Sequence, residues 1–460
     1  MRNEPNSPEC TPSQPLAEPR ETNDGSHADR ISVTRRSFVA AGVAAGAATL
    51  LVPKVWGAQA GKAQIKVGLI GCGGRGTGAA AQALSAGDDV VLWAAGDMFP
   101  DRVASCLKHL SGHAAKDRAT VPEDRQFSGF DSYQKVIDSG VDVVLLCTAP
   151  HFRPMHLKAA VDAGKQIFCE KPFFVDAPGY RSVLESVQRC KEKKLNFVSG
   201  FCWRYSGPER AFFAQVLDDD TLGVPMAMYS CYYTGPLGVN KRKPGWTDME
   251  LQLRNWQHFN WLSGDIIVEQ ACHSIDKINW AMRNVAPASA VGMGGRQTRE
   301  SIPERGDVYD HFSIVYTYPD GRKAFLNCRQ QADCYFENTD WIAGTKGQGF
   351  VNGWGPTQWI KDPAGKVVWK YDPNTTRVDM YQQEHNELFA AIREGKVVND
   401  GDWACTSCMM AVLGRMAAYS GQQVTWDSAI ASTESLAPAA YQLGDVPMPE
   451  PKQPGKYRVQ

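Results

Sequence analysis

The rhythm of apolar positions changes twice along the chain. Through residue 60 there is no sustained period, only a weakly apolar run over Ala40–Val52. From Ile65 onward, short continuous apolar runs alternate with helical stretches. Ile65–Ile70, Val90–Ala95, Val141–Cys147, Gln166–Cys169 and Asn196–Gly200 read as strands, with helices predicted over 77–85, 151–163 and 177–193. Continuous apolar runs suit strands covered on both faces, and their alternation with helices predicts a parallel, doubly wound sheet. Further on the period becomes two. Phe312, Ile314, Tyr316 and Tyr318 alternate with Ser313, Val315 and Thr317. Ala324–Asn327, Trp341–Gly344 and Lys366–Trp369 read similarly, with turns such as Pro319-Asp320-Gly321 between strands. This pattern predicts a largely antiparallel open sheet. Helices over 381–393 and 403–419 close the pattern.

Composition narrows the class. A chain of 460 residues, 43% hydrophobic, suits two globular domains with sizeable cores. A formal net charge of -1 provides no broad basic field for nucleic acid. Residues 1–31 are rich in Pro, Glu, Ser, Asn and Asp and are expected to be disordered. Next come Thr34-Arg35-Arg36-Ser37-Phe38-Val39, the apolar run, and small residues at Ala58 and Ala60. That order reads as a twin-arginine export signal. The run is shorter than the ~20 residues of a membrane span. The expected protein is therefore periplasmic or exported, touching a membrane only through its signal. The 13 cysteines are odd in number, and Cys147 and Cys169 sit inside apolar runs, so buried free thiols are expected. Cys405 and Cys408 fall within a helical stretch with no second pair nearby, and no metal is expected.

The first apolar strand runs into Gly71-Cys72-Gly73-Gly74-Arg75-Gly76 and then an Ala-rich helix. A GxGxxG between a strand and a helix is a dinucleotide fingerprint. Gly71 permits the tight turn, Gly73 the close approach of a pyrophosphate, and Gly76 the packing of helix on strand, while Gly74 and Arg75 open the helix N-terminus to phosphate. The second strand leads to Asp97, 26 residues after Gly71. A carboxylate there accepts ribose hydroxyls and repels a 2′-phosphate, so NAD is expected over NADP. Thr148-Ala149-Pro150-His151 and Glu170-Lys171-Pro172 fall at carboxyl ends of later strands, where such sheets bind ligands. The expected fold is thus α/β: a Rossmann domain over 61–195, then an α+β substrate and oligomerisation domain over 196–440, with a Pro-rich tail over 441–460.

The stretch Gly264–Asp276, read as a helix, puts Glu269, His273 and Asp276 on one face. Histidine titrates near working pH and suits a base that takes a hydroxyl proton. Upstream, Trp256 and Trp261 lie among Trp246, Arg254, His258 and Phe259. Aromatic faces beside polar donors suit sugar; core packing or an oligomer contact fits equally.

The run Thr148-Ala149-Pro150-His151, His156, Gly164-Lys165 and Glu170-Lys171-Pro172 resembles the family of glucose–fructose oxidoreductase and inositol 2-dehydrogenase, Gfo/Idh/MocA. The resemblance extends over residues 64–430. It implies that Lys171 serves both nicotinamide and the substrate hydroxyl, that Glu170 lies near the nicotinamide ribose, and that His273 is catalytic. The Lys171–Pro172 bond is a candidate for the cis form. Where the family carries Asp four residues before the histidine, this chain has Glu269. Arg204-Tyr205 is similar to the family's entry into its substrate domain. Lys171, His273 and Glu269 are thus the expected catalytic residues; Arg204, Tyr205, Trp256, Trp261 and Asp276 are candidates for substrate contact. The implied protein is a homodimeric or homotetrameric oxidoreductase of sugars, glycosides or cyclic polyols, exported with its NAD tightly held. Two alternatives are redox-assisted cleavage of a glycoside through a keto-sugar, and sugar binding without catalysis.

Overall fold

The computed structural model describes residues 64–460. The segment expected to be disordered and the export signal, with Arg35, Arg36 and Ala58–Ala60, lie outside the described residues.

Six parallel strands form the first sheet in the order β3-β2-β1-β4-β5-β6. They are β1 (Ile65–Ile70), β2 (Val90–Asp97), β3 (Gln126–Ser128), β4 (Val143–Leu146), β5 (Gln166–Cys169) and β6 (Phe197–Ser199). This is the strand order of a dinucleotide-binding doubly wound sheet, with its topological switch between β1 and β4. All four residues of β4 are buried, as continuous apolar runs require when helices cover both faces. Glycine makes the packing possible at two points. A Cβ on Gly68 would lie 2.6 Å from a Val136 methyl, and one on Gly76 only 1.8 Å from the Gly71 carbonyl oxygen.

The second sheet has nine strands, β7 (Pro225–Thr234), β8 (Ser289–Gly295), β9 (His311–Thr317), β10 (Lys323–Gln330), β11 (Thr339–Gly344), β12 (Gly347–Asn352), β13 (Trp359–Lys361), β14 (Val367–Lys370) and β15 (Val424–Thr425). Their order is β14-β13-β12-β11-β7-β10-β9-β8-β15. All pairings are antiparallel except that of β7 with β10. Along β9, Phe312, Ile314 and Tyr316 are buried while the residues between them are half-open. The buried face packs on the helix Gly401–Ser420, where the Tyr316 hydroxyl donates to the Met410 carbonyl at 3.0 Å.

Three features differ from the sequence expectation. The predicted helix over 264–276 is two helices, Ile266–Glu269 and Cys272–Ala281. The Gln270 and Ala271 N–H groups both donate to the Ile266 carbonyl, at 3.0 Å each, so this turn holds an extra residue and the helix restarts. Second, the chain returns to the first sheet. The helix Met380–Glu394 packs on the helix Gly74–Ser85, with Gln382 Nε2 donating to the Gln82 carbonyl at 3.0 Å. Asn399 then bridges to Phe197 in parallel. Contacts thus cross the expected boundary near residue 195. Third, the Pro-rich tail has no regular structure but is docked: Tyr441 hydroxyl meets His151 Nε2 at 2.8 Å, and Val446 and Met448 pack with Phe99, Met249 and Leu253.

The 12 described cysteines are all free; Cys405 and Cys408 lie buried on one helix.

Candidate functional site

A cavity of about 630 Å³ opens at the carboxyl ends of β1, β2, β4 and β5 and is closed on the far side by the second sheet and its helices. Each wall has its own origin.

The near wall comes from strand-end turns. Gly71 adopts φ +101°, and a Cβ there would lie 2.6 Å from the Cys147 carbonyl carbon and the Thr148 nitrogen. Only glycine serves there. At Gly73 and Gly74 a Cβ would meet nothing within 4 Å, because these residues face the cavity. Gly73 caps the following helix with no side-chain hydrogen bond, so the first-turn N–H groups remain available to an anion. Asp97 is pinned where β2 ends. Its two oxygens accept from the Cys72 N–H at 2.7 Å and the Phe99 N–H at 3.1 Å, and burial pushes its carboxyl above its ordinary range. A loop with this bare helix start and a carboxylate at the next strand end fits the pyrophosphate and ribose of a dinucleotide.

Glu170 and Lys171 form the floor. Glu170 is buried, and its Oε1 accepts from Arg75 Nε. A Cβ on Gly200 would lie 2.5 Å from Glu170 Oε2, so Gly200 makes room for the carboxylate. Lys171 Nζ donates to the Glu269 carbonyl at 2.5 Å. Burial works against the Lys171 charge, but Cys272, Glu269 and Glu170 offset it and its pKa is raised. The Lys171–Pro172 peptide is cis. Arg153 ties the two strand-end turns together, donating to the Pro172 carbonyl at 2.5 Å and the Thr148 carbonyl at 2.7 Å.

The far wall holds Glu269 and His273. His273 is 8% exposed, and its Nδ1 is buried without a hydrogen-bond partner among the described residues. Trp203 presents its ring to the imidazole at 5.0 Å and Phe201 at 5.9 Å. Burial, then the positive charges of Lys171 and Lys277, hold its pKa well below the ordinary histidine value. The unprotonated imidazole, which carries a free ring-nitrogen lone pair, is therefore the favoured form.

Of the residues singled out in the sequence, Gly71, Gly73, Gly74, Arg75, Asp97, Thr148, Glu170, Lys171, Trp256, Glu269 and His273 line this one cavity. Arg254, from the aromatic and basic cluster, lines it as well; the remaining candidates lie elsewhere. Gly76 packs helix on strand, as its contact with Gly71 requires. Arg204 Nε and Nη2 grip Asp276 at 2.9 Å each in a buried pair, with Asn284 accepting from Nη2 at 3.0 Å. The restarted helix turns Asp276 inward toward that partner, away from the cavity. The Tyr205 hydroxyl donates to Asp400 at 2.5 Å, inside the protein. Pro150 is buried in a single 3₁₀ turn, Pro150–Phe152. His151 and Trp261 meet edge-to-face at 5.0 Å in an aromatic cluster with Phe152 and Tyr441. Trp261 Nε1 is bound to Gln252 at 2.7 Å.

Several lining residues escaped sequence reading: Arg102, Arg153, Tyr232 and Tyr381. Behind Tyr381, Glu384 and His385 are fully buried, and none of their four polar side-chain atoms has a hydrogen-bond partner among the described residues. Glu384 lies 3.9 Å from Arg75 Nη2. Burial and the Glu170 charge push the Glu384 carboxyl well above its ordinary range. Glu170 and Glu384 thus share one guanidinium. The helical spacing around residue 384 signals a helix, but not which face meets Arg75.

Known proteins share this plan. A family described as an oxidoreductase family with an NAD-binding Rossmann fold matches residues 65–201, and the GFO/IDH/MocA C-terminal domain matches residues 214–349. Inositol 2-dehydrogenase of Rhizobium meliloti (strain 1021) is 24% identical over 346 residues, which cover 73% of this chain and 92% of that protein. The scyllo-inositol dehydrogenase of Lactobacillus casei, solved with NAD(H) and scyllo-inositol, is similar in fold, with a TM-score of 0.60 at 18% identity over 79% of this chain and 99% of that one. The aldose-aldose oxidoreductase of Caulobacter crescentus, solved with glycerol, superposes with a TM-score of 0.61 at 18% identity and the same coverage.

Proposed function

The chain belongs to the GFO/IDH/MocA oxidoreductases, whose Rossmann fold binds NAD, and from that premise we propose that it oxidises a secondary hydroxyl of a sugar, glycoside or cyclic polyol. The observation that carries the reading is the meeting of Lys171, Glu269 and His273 in the same cavity as the glycine loop. Bound NAD supplies the hydride acceptor. As the carbon loses its hydride, the hydroxyl must lose a proton, and the neutral His273 imidazole takes it. The Lys171 ammonium donates a hydrogen bond to the same oxygen as negative charge grows there. The Glu269 carbonyl holds Nζ in place for that contact. Polyol and aldose enzymes among the relatives support the substrate class. The test is nicotinamide absorbance of the full chain with NAD and a panel of inositols, aldoses and glycosides. Reduction of NAD by any of them supports the reading; no reduction by the whole panel sinks it.

Export and self-association complete the proposal. Arg35 and Arg36 head the export signal, and the protein carries its NAD with it; fractionation of an Arg35→Lys, Arg36→Lys variant tests this, since normal export would refute it. The oligomer forms through the open face of the second sheet. There one register row runs Val291–Val315–Phe325–Tyr229–Trp341–Phe350–Trp359, apolar or aromatic across seven strands before it reaches Lys370 on β14. Trp341 is still 39% exposed, Phe325 38% and Val291 42%. Such a patch marks an interface. Sedimentation should give a dimer or tetramer for the native chain and a smaller species for Trp341→Lys; an unchanged assembly refutes this surface.

A further inference from the structure

The turn that interrupts the far-wall helix carries a residue that the proposed chemistry does not use. Glu269 ends the first helix and Gln270 follows it. On an unbroken helix, successive side chains diverge by about 100°. Here both residues line the main cavity, where the extra-residue turn begins. One-residue insertions of this kind recur at functional sites.

Gln270 is half-buried, and one end of its amide is committed. Its Oε1 accepts from Gln330 Nε2 at 2.8 Å and from the Thr234 hydroxyl at 3.3 Å. An amide can turn end for end, so its direction must come from its partners. They fix it here. Gln330 is 2% exposed, and its Oε1 accepts from Arg299 Nη2 at 3.1 Å. A guanidinium has donors only, so Gln330 must aim its oxygen at Arg299 and its amide nitrogen at Gln270. Arg299 is anchored in turn. Its Nη2 also donates to the Tyr309 carbonyl at 3.2 Å, and its Nη1 meets His258 Nδ1 at 3.0 Å. His258 Nε2 lies 2.9 Å from the Gly238 carbonyl, which only accepts; that nitrogen carries the proton, and Nδ1 accepts from Arg299. Burial lowers the His258 pKa to about 4, which keeps the ring neutral in this one tautomer.

Every link from Gly238 to Gln270 therefore runs in one direction. The chain ends at Gln270 Nε2, which is not buried and has no hydrogen-bond partner among the described residues. Beside it, the Glu269 side chain lines the cavity, also without a hydrogen-bond partner among the described residues. The free amide nitrogen only donates, and the neighbouring carboxylate only accepts. A hydroxyl answers both, since its oxygen accepts and its proton is donated.

We propose that Gln270 is a specificity-determining residue which, paired with Glu269, reads a second hydroxyl of the substrate, apart from the one that reacts at His273. Gln330, Arg299 and His258 are positioning residues that hold the Gln270 N–H groups toward that hydroxyl. The inference rests on the hydroxyl-oxidising reading above and deepens it: the preferred substrate carries at least two hydroxyls in fixed relation, as a polyol or sugar does and a simple secondary alcohol does not.

The test uses the full chain loaded with NAD. The probes are glucose, myo-inositol and their monodeoxy analogues. Binding is read by calorimetry and turnover by nicotinamide absorbance. For the wild type, deletion of one hydroxyl besides the reacting one should lower affinity and kcat/KM by about tenfold or more, because a donor and an acceptor of the site are left unpaired. Gln270→Met has a similar size and no amide. It should lower affinity for the parent probe to a similar extent and erase most of the deoxy penalty, with NAD affinity unchanged. Gln330→Glu keeps an acceptor for Arg299 but loses the donor to Gln270, so the Gln270 amide is free to turn over. This remote variant should also shrink the deoxy penalty, whereas a merely structural residue would weaken every probe alike. A deoxy penalty equal to that of the wild type at every position in Gln270→Met refutes the proposal, and an unchanged penalty in Gln330→Glu refutes the relay behind it. If no probe reduces NAD but the binding penalty still depends on Gln270, the oxidising reading fails and this one stands. If no probe binds the wild type, both fail.

Discussion

The two walls of the main cavity are built by different means. On the near wall, Gly71, Gly73, Gly74, Asp97, Thr148, Glu170 and Lys171 all sit at or just past the carboxyl ends of parallel strands. Each is placed by the one or two residues around it: a left-handed glycine, a bare helix start, a strand that stops. On the far wall, Tyr232 comes from β7, Glu269 and His273 from two helices separated by an extra-residue turn, and Tyr381 from a helix that returns to the first sheet. Their positions are set by long-range packing. The near wall suits a ligand shared by many proteins, a dinucleotide recognised through backbone. On the proposed reading, the far wall is where substrate identity would be changed without disturbing cofactor binding. The contrast teaches that binding and turnover should come apart under mutation along this boundary.

The sharpest test is His273→Ala. On this division it removes the proposed proton acceptor and leaves the near wall intact. Turnover should fall by ~10²–10⁴-fold while NAD affinity stays at the native value. Single-turnover absorbance and equilibrium binding of NAD measure the two halves separately. Loss of NAD binding in this variant would break the comparison, because the walls would then be one unit.

A smaller effect is expected from Asp97→Ser on the opposite wall. Loss of a charged acceptor for ribose hydroxyls should weaken NAD by about tenfold. Arg102, which lines the same cavity, remains free to meet a 2′-phosphate. Discrimination against NADP should therefore relax, with kcat at saturating cofactor nearly unchanged. Titration of both cofactors decides it; tighter binding of NADP than NAD by the wild type would contradict the role given to Asp97.

The smallest effect concerns stability on the far side. The Glu209 carboxyl is raised from 4.5 to about 7 by burial. Its stabilising contribution is full below the unfolded value and lost as pH rises through about 7, where the native state must bury a carboxylate. Glu209→Gln mimics the neutral form. The difference in thermal midpoint, variant minus wild type, should therefore rise steadily from pH 4.5 to pH 7 and level off above it. A difference that is flat across that range would mean that the carboxylate is solvated after all.

How far the chain could be read follows from the same boundary. Gly71–Gly76, Asp97 and Glu170-Lys171 were legible because a strand, a turn and a helix start are contiguous events, and their chemistry lies within a few residues of sequence. The alternation along β9 announced a sheet with one covered face. Glu269 and His273 were legible as neighbours, since four residues remain close in either helical form. Asp276 was not: a single extra residue at Gln270–Ala271 rotates everything that follows, and periodicity cannot foresee where a turn will take one more residue. Nor could composition tell that Arg204 would be claimed by Asp276, or Trp261 by Gln252, rather than left for a substrate. The identity of a polar group is local, but its partner is chosen by whatever the fold brings against it. So the sequence by itself determined the two sheets, the nucleotide loop and the residue types at the chemistry. Only the tertiary structure decided which of them share a cavity, that the buried Glu384 would share Arg75 with Glu170, and that Trp354 would stay open beside the site, because these depend on packing between segments distant in sequence.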